Sequence, residues 1–136
     1  MSSALGAIEA ALYQRLAGSA LLDYMVRGVY RNLAPSDSAC PFIVFNLVTG
    51  NDTYTLCRRI REQYTFQVKV IDEGYSGAIG AQAMDLVDEL LTDQPLVVEG
   101  YETWLVRRAG AIPSFTEEDN GVVYQHVGAE FQVEVT

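Results

Sequence analysis

The sequence predicts an α+β fold: a mainly antiparallel β-sheet, two amphipathic helices packed on one of its faces, and a long hairpin between its second and third strands. Three observations carry that expectation. Residues 42–49 and 60–70 read as strands on either side of a polar turn, and Gly74-Tyr75-Ser76-Gly77 punctuates the exit of the second strand into a helix. Apolar residues also recur at helical spacing in two separate stretches. With 136 residues, 49% of them apolar, the chain suits a single domain spanning 1–136. A chain of this length buries roughly two thirds of its unfolded surface.

Leu5, Ile8, Leu12 and Leu16 recur at spacings of three and four, with Ser2 or Ser3 as a cap, so a helix is expected over 3–17. Gly18 should end it. Residues 19–39 are mixed: Leu21-Leu22-Asp23-Tyr24-Met25 suits a helical turn, Val29-Tyr30 a short strand, and Ala34-Pro35-Ser36-Asp37-Ser38 a loop. The strand at 42–49 is apolar on both faces, with Phe42, Val44 and Val48 opposite Ile43, Phe45 and Leu47. Both faces then need a cover, from a partner or a folded-over loop, or, if the strand is simply central, from the rest of its own chain.

From Ile60 to Val70 the alternation sets Ile60, Tyr64, Phe66, Val68 and Val70 against Arg61, Gln63, Thr65, Gln67 and Lys69, which predicts a half-buried strand. Ser76 is the expected cap of a helix over 77–92 with an apolar stripe of Ile79, Ala83, Leu86, Val87, Leu90 and Leu91. After Pro95, Leu96-Val97-Val98 reads as a short strand, Glu99-Gly100 as a turn, and 101–109, with Trp104, as a longer strand. Residues 113–121 read as a loop closed by the Asn120-Gly121 turn pair. The last strand should bury Val123, Val127, Phe131, Val133 and Val135 on one face.

A hairpin over 41–72 turning near Thr53 would set Cys40 opposite Gln67 and Cys57 opposite Gly50. Ten residues of ladder, roughly 30 Å, would then separate the two sulfurs, beyond the ~7 Å reach of a disulfide. No bond between them is expected.

The formal net charge of −9 argues against a surface built to grip phosphate backbones. Carboxylates facing DNA would instead let a duplex slide past. The cations are eight arginines and Lys69; arginine is the cation favoured at protein interfaces, although genomic base composition biases the same count. The N-terminus lacks the pattern of a signal peptide and no apolar run reaches membrane-spanning length, so synthesis in the cytosol and no membrane partner are expected. Asn51-Asp52-Thr53 is then turn composition rather than a glycosylation site.

Few residues suggest chemistry. His126, the one histidine, has no partners in sequence for a triad or a metal site and reads as an outward-facing sheet residue. Gly74, Gly77 and Gly80 have the wrong spacing for a dinucleotide loop, and Gly74-Tyr75-Ser76-Gly77 lacks the spacing of a nucleophile elbow. No cofactor, metal or catalytic residue is assigned. Glu117, Glu118 and Asp119 suit a solvated or ion-pairing loop better than a cation site. Arg58, Arg59 and Arg61, beside Glu62 and near Tyr54, form a basic cluster with two readings: a strand end kept soluble by charge, or a surface that docks on acidic residues of a neighbouring copy. Tyr54, Arg58, Arg59, Arg61, Glu117, Glu118 and Asp119 are therefore the candidate interface residues.

The order of elements adds a resemblance. The first helix contains Ala11-Leu12-Tyr13-Gln14-Arg15-Leu16; Gly28-Val29-Tyr30, Leu33-Ala34-Pro35 and Cys40-Pro41-Phe42-Ile43-Val44-Phe45 follow. Then come Arg61-Glu62-Gln63-Tyr64-Thr65-Phe66-Gln67-Val68, a helix leading to Asp93-Gln94-Pro95-Leu96, and a last strand with Phe131-Gln132-Val133-Glu134-Val135. Over nearly its whole length the chain resembles the tail-completion or tail-terminator family of long-tailed bacteriophages. The resemblance implies a virion protein without catalytic residues, forming a homohexameric ring on the head-proximal end of the tail tube. Such a ring stops tube growth, contacts the tail tube protein, presents a surface to the head-side connector or stopper protein, and lets DNA through without binding it. Six copies at −9 each carry −54 formal charges. The alternatives are a head-completion or connector protein of the neck, and, from another class, a small ligand-binding or enzymatic α+β domain with a concave polar pocket.

Overall fold

The computed structural model describes residues 3–36, 38–56, 58–75 and 77–136. Helices α1 (Leu5–Ala17) and α2 (Ala20–Met25) precede strands β1 (Val29–Arg31), β2 (Phe42–Tyr54) and β3 (Arg59–Glu73); helix α3 (Ala78–Leu91) and strands β4 (Arg107–Ala111), β5 (Phe115–Asp119) and β6 (Val122–Val135) follow. One six-stranded sheet runs in the order β1-β2-β3-β6-β4, with β5 also paired to β6. Its ladders are antiparallel except for β1 on β2. The fold is the α+β class expected.

Pleat alternation divides the core. Ile43, Phe45, Tyr64, Phe66, Val68 and Val70 share a face with Phe131, Val133 and Val135 of β6, and on that face they meet Ile8, Leu12 and Leu16 of α1 and Ala83, Val87 and Leu91 of α3. The two main helices therefore lie on the same side, as expected. Phe66 and Phe131 stand directly opposite each other and are fully buried. Gly80 is buried where α3 meets the sheet, with Val127 3.5 Å from where a side chain would begin. Helix–sheet packing, rather than phosphate binding, accounts for this glycine.

Several expectations are corrected. The β2–β3 hairpin turns beyond Tyr54 and before Arg59, with the Thr55 amide on the Arg58 carbonyl at 2.8 Å, because strand pairing runs on through Thr53 and Tyr54. Gly50 therefore pairs with Tyr64, and Gln67 with Asn46. Cys40 is a free thiol, while Cys57 lies outside the described residues, as does the proposed cap Ser76. Helix α3 starts after Gly77 in a left-handed conformation, with no side-chain cap. Ile79 and Ile60, expected inside, are 50% and 41% exposed, one at the start of α3 and the other near the hairpin tip.

Residues 96–98 form no strand. Leu96 and Val98 are buried and Val97 exposed, so the segment drops two anchors into the core without a ladder. Of the strand expected over 101–109, only Arg107 onward pairs regularly, preceded by a single bridge from Thr103 to Val135. Conversely, the loop expected over 113–121 contains β5. Its Asn120-Gly121 turn is as expected, with φ of 52° and 80°.

Candidate subunit interface

The long strands separate the candidate residues into two groups at opposite ends of the sheet. From Arg59 to Glu73, β3 spans on the order of 45 Å at ~3.3 Å per residue.

At one end is the hairpin arm. The outer edge of β2 carries β1 only over Ile43, Val44 and Phe45, and the ladder between β3 and β6 stops at Glu62. Every residue of β2 from Val48 to Tyr54 is exposed. Tyr54 is 64% exposed and Leu56 entirely so. The three arginines that cluster in sequence are dispersed here. Arg58 stands exposed at the tip. Arg59 turns inward, 3.7 Å from Asp52 and 3.9 Å from Glu62, and Arg61 lies 3.4 Å from Glu134 across the sheet. Arg59 thus serves its own chain: Glu62 is buried and accepts hydrogen bonds from the Ala4 amide at 2.9 Å and the Tyr64 hydroxyl at 2.6 Å. Leu5 donates to the Ser3 hydroxyl at 3.1 Å, so Ser3 and a glutamate from β3 together satisfy the first amides of α1.

At the other end are β5 and the outer face of the sheet. Glu117 and Asp119 alternate onto the same side of β5 and line a cleft of about 270 Å³ with Phe42, Ile71, His126 and a loop that contributes residues 33–36 and Ser38. Glu118, between them, is not among the cleft's lining residues. The loop stands beside Phe42 at one end of the outer apolar face of β2, whereas Val48 on the same face is 49% exposed. Tyr30 packs edge-on to Phe42, with ring centroids 5.9 Å apart.

His126 lies on the outer face, opposite Val127 and Phe131 as expected, but it is not exposed. It is 6% exposed, stacked on Phe115 with ring centroids 4.0 Å apart, and neither ring nitrogen has a hydrogen-bond partner. Its closest acid is Glu117, with Oε1 3.7 Å from Nε2. Burial, and then the Lys69 cation, hold its pKa below the usual 6.5 against the opposing pull of Glu117. The imidazole is therefore neutral at neutral pH. Alternation along β6 gives its side of the sheet, but nothing local in sequence indicates the β5 strand whose Phe115 stacks on it.

The other hollows offer less. One of about 400 Å³ lies between α1 and α3; there the Arg15 guanidinium already donates to the carbonyls of Leu90 and Pro95. Among the described residues, no three His, Cys, Asp or Glu side chains converge as metal ligands, and no helix is long and apolar enough to cross a membrane.

The family model described as Tail completion protein gp17 matches residues 10–133. The chain belongs to this family. The match takes in α2, α3, β1 to β5 and most of α1 and β6. Family membership makes it a structural protein of phage tails. The fold is similar to a chain of a solved structure titled "Virion of native gene transfer agent (GTA) particle", with a TM-score of 0.76 and 20% identity over 99% of this chain and 98% of that one. A second solved structure has a TM-score of 0.59 and 16% identity over 100% of this chain and 96% of the other. No sequence match is found among curated proteins.

Proposed function

We propose that this tail completion protein caps the head-proximal end of the tail tube as a homohexameric ring, ending tube polymerisation and offering the surface on which the head-side connector docks. The observation that carries the reading is the separation of complementary surfaces. An exposed arm with an arginine at its tip stands at one end of the sheet, and an acidic strand stands at the other. One copy cannot bring its own two ends together. Successive copies can, and a head-to-tail contact of this kind closes into a ring when its rotation divides a full turn.

The arm supports the same reading. A two-stranded ribbon exposed on both faces is marginal in water. Its outer edge from Val48 to Tyr54 carries a single charge, Asp52, and no proline, so it has little protection against pairing in trans. In the ring, any of the −54 charges facing the channel repel the phosphates of passing DNA and keep it from sticking. The similar fold of a virion chain agrees with a place in the particle.

Deleting the gene in the source particle and imaging the lysate tests the proposal. Overlong tubes detached from filled heads are the expected result. Tails of normal length beside unattached heads would assign the protein to the head-side neck, and intact infectious particles would refute both roles.

A further inference from the structure

We propose that the cleft on the outer face of the sheet receives the hairpin tip of a second copy of this chain, with Leu56 over its apolar floor and Arg58 between Glu117 and Asp119. The inference deepens the ring reading and rests on it, since it names the contact that would close the ring.

The cleft and the tip match in chemistry. Phe42 and Ile71 supply an apolar floor, and Leu33 on the rim is 83% exposed, an apolar side chain that gains from being covered. Glu117 and Asp119 supply the charge. Asp119 makes no ion pair among the described residues, and Glu117 approaches only the neutral His126, at 3.7 Å. An arriving guanidinium, with five donors in a planar fork, serves the two carboxylates together, while the buried His126 ring forms part of the cleft wall beside them.

The tip has the opposite needs. Leu56 is entirely exposed, and Arg58 makes no ion pair among the described residues. The length of β3 keeps this tip from its own cleft, so the occupant must come from another copy.

The test has two readouts on purified protein. Light scattering first reports whether the chain assembles. A chain carrying Leu56→p-benzoyl-phenylalanine is then mixed with an isotopically heavy chain, irradiated, and the crosslinked peptides are identified by mass spectrometry. Crosslinks between light and heavy chains that fall within residues 33–38 or 115–126 are expected. Arg58→Glu should abolish both assembly and crosslink without changing the monomer's melting temperature, and adding Glu117→Arg and Asp119→Arg should restore both. An assembled ring whose crosslinks fall elsewhere, or that persists in Arg58→Glu, overturns this contact and leaves the ring intact. A chain that stays monomeric at all concentrations overturns the ring and the contact with it.

Discussion

The buried carboxylate of Glu62, on β3, accepts the backbone amide hydrogen of Ala4 at 2.9 Å, across 58 residues of sequence. This bond ties the start of α1 to the base of the hairpin arm, and the same oxygen takes the Tyr64 hydroxyl at 2.6 Å. Anchoring the helix therefore also organises the root of the arm. Glu62→Ala leaves the buried Ala4 amide without its acceptor and the Tyr64 hydroxyl with only the Ser3 hydroxyl, 2.9 Å away, at a cost of about 1–3 kcal/mol. Denaturant unfolding should show that loss, with faster amide hydrogen exchange at Ala4; Glu62→Gln, which keeps an acceptor oxygen, should lose less.

The Tyr64 phenol reports on the same contact. Burial and then its hydrogen bond to Glu62 raise its pKa above the usual 10. A group whose pKa is raised by folding contributes stability below its unfolded value and loses it as pH rises through the folded one. Absorbance titration should place phenolate formation at Tyr64 above pH 10 in the native chain and lower in Glu62→Gln.

His126 gives the protein a pH dependence of opposite sign. Its pKa is lowered by folding, so its contribution is complete above the unfolded value near 6.5 and is lost as pH falls through 6.5 toward the folded value. Lys69 on β3 opposes protonation, while Glu117 on β5 favours it. Thermal melts at pH 7.5 and 5.5 should show a fall for the native chain and a smaller one for His126→Phe. Lys69→Met should raise the imidazole pKa measured by NMR.

Gly128 has no room for a side chain. A Cβ there would lie 2.5 Å from the Val68 carbonyl oxygen, 2.7 Å from Lys69 Cβ and 2.9 Å from Ile112 Cδ1. Gly128→Ala must push β3 or Ile112 aside, an overpacking cost of about 1–3 kcal/mol. Calorimetry should show a melting temperature lower by several degrees; an unchanged value would mean that the outer face yields.

At the β5–β6 turn the limit is backbone conformation instead of space. Gly121 has φ of 80°, and nothing lies within 4 Å of the position a Cβ would take. Gly121→Ala should cost roughly 1–2 kcal/mol for the left-handed conformation alone. Because this turn holds β5 in register, the same variant should loosen Glu117 and Asp119 and weaken assembly in light scattering.

The sequence by itself determined the main helices, the long strands and one turn. Side-chain periodicity marks α1, α3, β3 and β6 through residues only two to four apart, and Asn120-Gly121 specifies its turn through the conformations those two residues tolerate. The order of these elements was enough to indicate the family. Tertiary structure decided the surfaces. β5 has no buried side chain to alternate, so only the ladder of β6 makes it a strand. Arg58, Arg59 and Arg61 are neighbours in sequence, yet the strand pairing leads them to the tip, to Asp52 and Glu62, and to Glu134. His126 stacks on Phe115 and lines a cleft together with a loop some ninety residues earlier in the chain. Periodicity reports which way a side chain points from its own backbone; what it meets there depends on segments brought in by the fold, and their distance along the chain leaves no local trace.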